Sequence, residues 1–235
     1  RQEVTENIEQ GSAEWFALRV GRVTSSKVAD VLAGGKGLTR AAYRNQIVAE
    51  RLTGLPCGSD FESEPMRRGN EQEPFARAAY EVARSCMVDS VAFIPHPRLM
   101  AGASPDGIVG EDGGIEMKNP NTATHIGYLE AGEVPSKYVP QMQWAMACSG
   151  RKWWDFVSFD ARLPTETRLF IARLERDEEW IKKAEAAVEK FLSEVDEMVE
   201  KLTATPQESA PEQPSAQIVD IMGALKASLA ARPRS

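Results

Sequence analysis

Cysteine and histidine are scarce in this chain, with three of the first and two of the second among 235 residues. Cys57, Cys86 and Cys148 are odd in number and far apart, which excludes a disulfide framework and fits no zinc or iron–sulfur cluster. They read as buried free thiols in a reducing cytoplasm. His96 and His125 stand alone, so neither is expected to ligate a metal or act as a base. Also lacking is any apolar run near the roughly 18 residues that a membrane span needs. No basic-then-apolar leader opens the chain, so export is not expected, and no internal repeat is visible. A chain 42% hydrophobic at this length is enough for one sizeable globular core.

The formal net charge of −7 argues against a polyanion as partner, but its distribution does not. Residues 175–201 carry ten acidic and five basic side chains. Residues 15–51 carry Arg19, Arg22, Lys27, Lys36, Arg40, Arg44 and Arg51 against only Asp30 and Glu50. A local basic surface is what attracts nucleic acid. An ordinary solvated helix face has the same composition.

Residues 12–53 read as helical, with Ser/Thr starters in TSSKVADVLAGG, a Gly34-Gly35 stop, and Thr39 capping LTRAAYRNQIVAERLTG. GNEQEPFARAAYEVA (69–83) reads as a helix with Pro74 in its opening turn. Then the period changes. Residues 88–94, the segment around Leu99, and residues 114–118, 153–160 and 168–174 are short, rich in β-formers and bounded by Gly, Pro or Asp. VPQMQWAMACSG (139–150) is helical and stops at Gly150. A long amphipathic helix follows at about 176–202, with Trp180, Ala184, Val188, Phe191, Val195 and Val199 on one face. This order gives a mixed α/β fold. Residues 203–216 are a Pro/Glu/Ser/Gln-rich linker, and 217–235 a tail able to form a short amphipathic helix.

The stretch ASPDGIVGEDGGIEMKNP (103–120) gathers Asp106, Glu116 and Lys118 in apolar, glycine-punctuated surroundings. An Asp-Gly turn and a hairpin would bring Asp106 beside Glu116, and strand alternation points Glu116 and Lys118 to one face with Met117 on the other. Two carboxylates suit Mg2+, which takes oxygen ligands and shares them with substrate phosphates. A lysine beside them can orient or deprotonate a water while the metal polarises a phosphate. Separately, Asp106-Gly107 matches a plain hairpin turn and Glu116/Lys118 a cross-strand ion pair. Together, on one apolar strand, they favour catalysis.

Pro105-Asp106 followed by Glu116-Met117-Lys118 resembles the PD-(D/E)xK nuclease signature. EWFALRVGRVTSSKVADVL, RGNEQEPFARAAYE, GASPDGIV, GGIEMKNP and YVPQMQWAMACSGRKWWDFVSFD resemble, in order and spacing, phage lambda exonuclease and related viral recombinases. The resemblance runs from about Glu9 to about Lys201, so residues 1–202 form the nuclease domain it implies. It implies a restriction-endonuclease-like core, a central mixed β-sheet flanked by helices. The activity it implies is a Mg2+-dependent 5′→3′ exonuclease on linear double-stranded DNA, releasing mononucleotides and leaving a 3′ single strand for a phage single-strand-annealing protein. It further implies a homotrimer ring, phage or prophage origin in the host cytoplasm, and two Mg2+ per site with Mn2+ able to substitute.

Carried over by the resemblance, the metal ligands are Asp106, Glu116 and the Met117 carbonyl, with Lys118 on the attacking water and Glu73 nearby on a helix. Glu71 competes with Glu73, whose offsets from Gly69 and Arg77 match the family better. A pocket for the DNA 5′-phosphate would use Arg19, Ser26, Ser104 and Gln141. Arginine grips phosphate bidentately, while hydroxyls and an amide donate to it. Read alone, Arg19 also fits a surface ion pair, the serines fit caps or turns, and Gln141 fits a solvent-facing position. Lys36 and Met66 occupy the strand-parting positions. Trp15, Trp144, Trp153 and Trp154 fit core packing better than base stacking. Two other readings are an endonuclease of restriction or repair type and a catalytically silent DNA-binding or recruiting module; the intact Asp106, Glu116 and Lys118 argue against the second.

Overall fold

A computed structural model describes residues 8–33, 38–57 and 64–204, with the side chains of 38 and 64–71 left outside. The chain forms two compact units, Arg1–Val199 and Glu200–Ser235, and only 200–204 of the second are described. The expected linker and tail therefore lie almost wholly outside the described residues.

The helical reading of 12–53 needs one correction. Helix α1 (Ala13–Arg19) starts where the Ser12 side chain accepts the Trp15 N–H. Gly21 then takes a left-handed φ of 70°, and strand β1 (Val23–Thr24) interrupts the helices before α2 (Val28–Leu32) and α3 (Leu38–Thr53). Val23 and Thr24 pair in parallel with β3 (Ala101–Ala103), a partner about eighty residues away that no local pattern announces. Helix α4 (Glu64–Arg84) also begins earlier than expected, so Pro74 lies inside it rather than in its first turn. Having no N–H, Pro74 leaves the carbonyl of Asn70 without its helical partner.

Five further strands and three further α-helices follow among the described residues. Strands β2 (Ile94–Pro95), β4 (Gly107–Val109), β5 (Gly113–Lys118), β6 (Trp153–Phe159) and β7 (Leu169–Glu175) join β1 and β3 in two sheets, ordered β1-β3-β2 and β4-β5-β6-β7. β5 and β6 run parallel, while β4–β5 and β6–β7 are antiparallel, which makes the larger sheet mixed as expected. The expected strand at 88–94 pairs only at the Asp89–Ile108 bridge and at Ile94, although Val91, Ala92 and Phe93 are buried. Its composition reflects burial rather than pairing. Helix α6 (Val139–Ser149) ends at a left-handed Gly150 as expected, and α7 (Glu178–Ala204) is the long amphipathic helix. Helix α5 (Thr122–Ala131) was not expected. Threonines and a mid-helix Gly127 mask it, but Asn121 caps its start by accepting the Thr124 N–H and Gly132 closes it at φ 67°.

Alternation along β5 and β6 divides two apolar clusters. Ile115, Met117, Val157 and Phe159 pack with Ala76 and Tyr80 of α4. Trp154 and Phe156 join the larger core with Trp144, Met142 and Met146 of α6 and Val188 and Phe191 of α7. Trp144 and Trp154 are fully buried, so core packing holds for both. Gly114 is required by this packing, because a Cβ there would lie 2.3 Å from the Trp154 ring. His125 sits between Ser158 and the Thr167 carbonyl and His96 against Glu185, each buried and engaged in packing.

The opposite charges of 15–51 and 175–201 meet. Arg40 grips Glu194 with two bonds of 2.8 and 3.0 Å, Arg44 lies 3.9 Å from the same carboxylate, and Arg51 pairs with Asp196. About half of the basic segment thus serves α3–α7 packing. Phe191, stacked on Tyr43 at 5.6 Å with the Arg40 guanidinium 5.1 Å from its ring, sits at the centre of this contact. Phe191→Ala should cost about 3–5 kcal/mol of stability, read from urea unfolding midpoints at constant slope.

Candidate active site

β4 is shorter than β5. Their pairing runs from Val109↔Gly113 to Gly107↔Ile115, so Glu116, Met117 and Lys118 extend past Gly107, the first β4 residue. Asp106, immediately before β4, folds its carboxylate into the gap and accepts the Met117 N–H at 2.6 Å. Asp106 therefore precedes the hairpin's first strand, while the turn itself lies at 110–112 with Gly110 at φ 53°. This corrects the expected turn at Asp106-Gly107. Gly107 is needed here for space, since a Cβ would meet Val88 at 2.2 Å. In an extended strand a residue's N–H and C=O share an edge, so the Met117 carbonyl faces the Asp106 side.

Glu116 and Lys118 share a face, as alternation requires. Lys118 Nζ donates to Glu116 Oε1 at 2.5 Å, and Gln141 Nε2 of α6 donates to the same oxygen at 2.7 Å. The Lys118 ammonium also lies 5.4 Å from the Tyr138 ring centre. Glu116 is only 3% exposed. Burial, then the charge of Asp106, pushes its carboxyl up to about 7, against the opposing pull of Lys118 and Gln141. Burial raises Asp106 too. For Lys118, burial works downward, but the charges of Glu116 and Asp106 outweigh it and hold the ammonium protonated.

Glu73 reaches the site from α4. Burial and the charge of Asp106 raise its pKa, while Arg77 and Lys118 pull it down. Arg77, one turn along, lies 3.9 Å from Glu73 and donates to the Asp106 carbonyl at 2.6 Å and the Val88 carbonyl at 3.2 Å. Among the described residues no group of three or more His, Cys, Asp or Glu forms a ready-made metal cluster. Mg2+ does not need one: it is commonly held by one or two carboxylates and shared with substrate phosphate. Asp106 and Glu116 each keep a second oxygen outside the bonds above, and the Met117 carbonyl faces the same edge. This all-oxygen donor set fits Mg2+.

The four expected phosphate-pocket residues divide. Arg19 and Ser26 line a cavity of about 180 Å³ with Arg22, Thr24, Lys27 and Tyr43. Ser104 joins them by accepting Arg19 Nη1 at 2.9 Å, whereas Gln141 is bonded to Glu116. Glu50 also lines this cavity, but its carboxylate is occupied by the Gly21 N–H at 2.8 Å and the Gln46 amide at 2.9 Å. The Arg19 guanidinium lies 4.1 Å over the Trp15 ring, and burial disfavours its charge. Trp15 also donates to Ser104 at 3.1 Å and to the Ala92 carbonyl at 3.0 Å, a role that sequence reasoning missed. Its i,i+4 spacing from Arg19 was the available signal. Lys36 lies outside the described residues, as do the side chains of Met66 and Glu71.

A sequence profile of the YqaJ-like viral recombinase domain matches residues 14–152, which include every residue placed above on the two sites. The chain belongs to that family. Two structures of the alkaline exonuclease LHK-Exo from Laribacter hongkongensis, one in complex with dAMP, are 44% identical to it. They superpose with TM-scores of 0.77 and 0.76, covering 82% of this chain and 97% of theirs. A phage-related exonuclease from Haemophilus somnus 129PT shares the fold at 18% identity and TM-score 0.60, covering 77% of this chain and 96% of that one. No curated protein matches the chain. The expected resemblance to lambda-exonuclease-like viral recombinases holds, and with it the PD-(D/E)xK fold.

The raised Glu116 carboxyl has a measurable consequence. Between about pH 4.5 and about pH 7 the folded, metal-free protein retains a proton that the unfolded chain releases, so stability falls as pH rises through that window. Glu116→Gln should flatten this part of the profile in urea unfolding of metal-free protein; an unchanged slope would place the titration elsewhere.

Proposed function

We propose that this member of the YqaJ-like viral recombinase family is a Mg2+-dependent 5′→3′ exonuclease on linear double-stranded DNA. It hydrolyses phosphodiester bonds, releases 5′-mononucleotides and leaves 3′ single-stranded ends for annealing recombination. The observation that carries the reading is the convergence of Asp106, Glu116, the Met117 carbonyl and Lys118 where β5 runs beyond its pairing with β4. The dAMP bound to the similar Laribacter enzyme supports a mononucleotide product.

Asp106, Glu116 and the Met117 carbonyl would hold Mg2+, two ions per site with Glu73 completing the set from α4 and Mn2+ able to substitute. Bound there, the metal supplies Lewis acidity toward the scissile phosphate and a lowered pKa for the attacking water. Lys118 is held as an ammonium by Glu116 and Asp106, so it acts as a donor that orients the water and neutralises charge gathering on the phosphate. Burial of Glu116 keeps bulk water from competing for that charge.

Arg19, Ser104 and Ser26 would take the 5′-phosphate of the end being digested. A dianion on Arg19 offsets the cost of its burial. Gln141, bonded to Glu116, would act at the metal carboxylates rather than in that phosphate pocket. The lambda-exonuclease resemblance supports a homotrimer ring threaded by DNA and a single-strand-annealing partner.

The test is nucleotide release from linear duplex DNA in Mg2+, with 5′-phosphate and 5′-hydroxyl ends compared and a covalently closed circle as control. Release from the linear substrate alone, faster with the phosphate, is expected; cutting of the circle would establish an endonuclease instead. Lys118→Ala should lower the rate by roughly 10²–10³-fold while leaving the far-UV circular dichroism and DNA binding intact. Arg19→Ala should bring the rates on the two ends together. Full preference for the phosphate in that variant would remove Arg19 from the grip.

A further inference from the structure

We infer that Arg77 is the positioning residue that sets the spacing between Glu73 and Asp106, two metal carboxylates carried by separate elements; this rests on the metal-site reading above. Asp106 precedes β4, whose pairing with β5 begins only at Gly107, so the Asp106 carbonyl lies outside that ladder. Arg77 Nη2 takes that carbonyl at 2.6 Å. Nη1 takes the Val88 carbonyl at 3.2 Å, next to the bridge in which Asp89 and Ile108 exchange bonds of 2.9 and 3.0 Å. One guanidinium thus ties α4 to both strands of chain that bracket the start of β4.

The same Nη2 lies 3.9 Å from Glu73 Oε1, four residues back on α4. Glu73 is the more exposed of the site's acids, its side chain 41% accessible, and Arg77 is the cation paired with it among the described ion pairs. The guanidinium therefore fixes Asp106 through its backbone and holds Glu73 through its charge. Holding both settings requires a planar fork with donors in two directions, which a lysine ammonium on a flexible stem does not supply. With its carbonyl held, the Asp106 backbone directs the carboxylate to the Met117 N–H, and the remaining oxygen is left for a cation. Outer residues that orient metal ligands in this way typically govern affinity by 10–100-fold, roughly, when replaced.

The experiment is calorimetric titration of the full chain with Mn2+ alone, without DNA, for the native protein, Arg77→Lys and Arg77→Gln. Arg77→Lys should weaken Mn2+ binding by roughly 10–100-fold while its far-UV circular dichroism stays native. Arg77→Gln, which keeps one planar amide donor, should fall in the same range and serves if the lysine variant does not fold. A folded variant that binds Mn2+ as the native protein does would make Arg77 a structural tie only, leaving the exonuclease reading untouched. A native protein that takes up no Mn2+ would overturn the metal-site reading itself, and this inference with it.

Discussion

The site depends on a mismatch in strand length. Because β4 begins only at Gly107, opposite Ile115, while β5 runs on to Lys118, one edge of β5 is left with backbone groups that β4 does not satisfy. A buried unpaired N–H is costly, and the Asp106 carboxylate satisfies that of Met117. The bond stabilises the hairpin and also fixes the carboxylate beside the strand that carries Glu116 and Lys118. Packing on both faces makes the arrangement rigid, with α4 beneath Met117 and α6 against Glu116. The fold and the site thus share their supports.

Electrostatic tension follows from that burial. Two carboxylates shielded from water beside one lysine cannot all reach their ordinary charge states, so burial and mutual repulsion raise the acids while the acids hold the lysine protonated. A divalent cation bound there would relieve this tension, which the metal-free protein carries as a pH-dependent cost. The second site follows the same logic with opposite sign. Arg19, buried on Trp15 and bonded to Ser104, presents a cation short of solvation at a cavity rim. One centre lacks positive charge and the other lacks negative charge, a complementarity that the proposed DNA substrate with a 5′-phosphate would meet.

Much of this was legible in the sequence. The caps and periodicity of α6 and α7 set their limits closely, because those signals are local. Strand alternation alone put Glu116 and Lys118 on one face, whereas Asp106 joins them from just before β4 rather than from the Asp-Gly turn its sequence suggests. The parts that were not legible involve partners distant along the chain: β1 pairing with β3, Gln141 turning to Glu116, and Arg51 pairing with Asp196. The basic segment stayed ambiguous for the same reason, since the acidic α7 covers much of the basic α3 and leaves Arg19, Arg22 and Lys27 at the cavity. Helix α5 escaped notice because its threonines and glycine weaken the periodic signal, although its Asn and Gly caps were visible.

The most direct measurement is anomalous X-ray diffraction from crystals of the protein soaked in Mn2+ with a short 5′-phosphorylated duplex. An anomalous peak bounded by the Asp106 and Glu116 carboxylates and the Met117 carbonyl is the predicted result. Ordered duplex with that position empty, or with the metal bound only elsewhere, would contradict the proposed assignment of the end of β5 that outruns β4 as the catalytic centre.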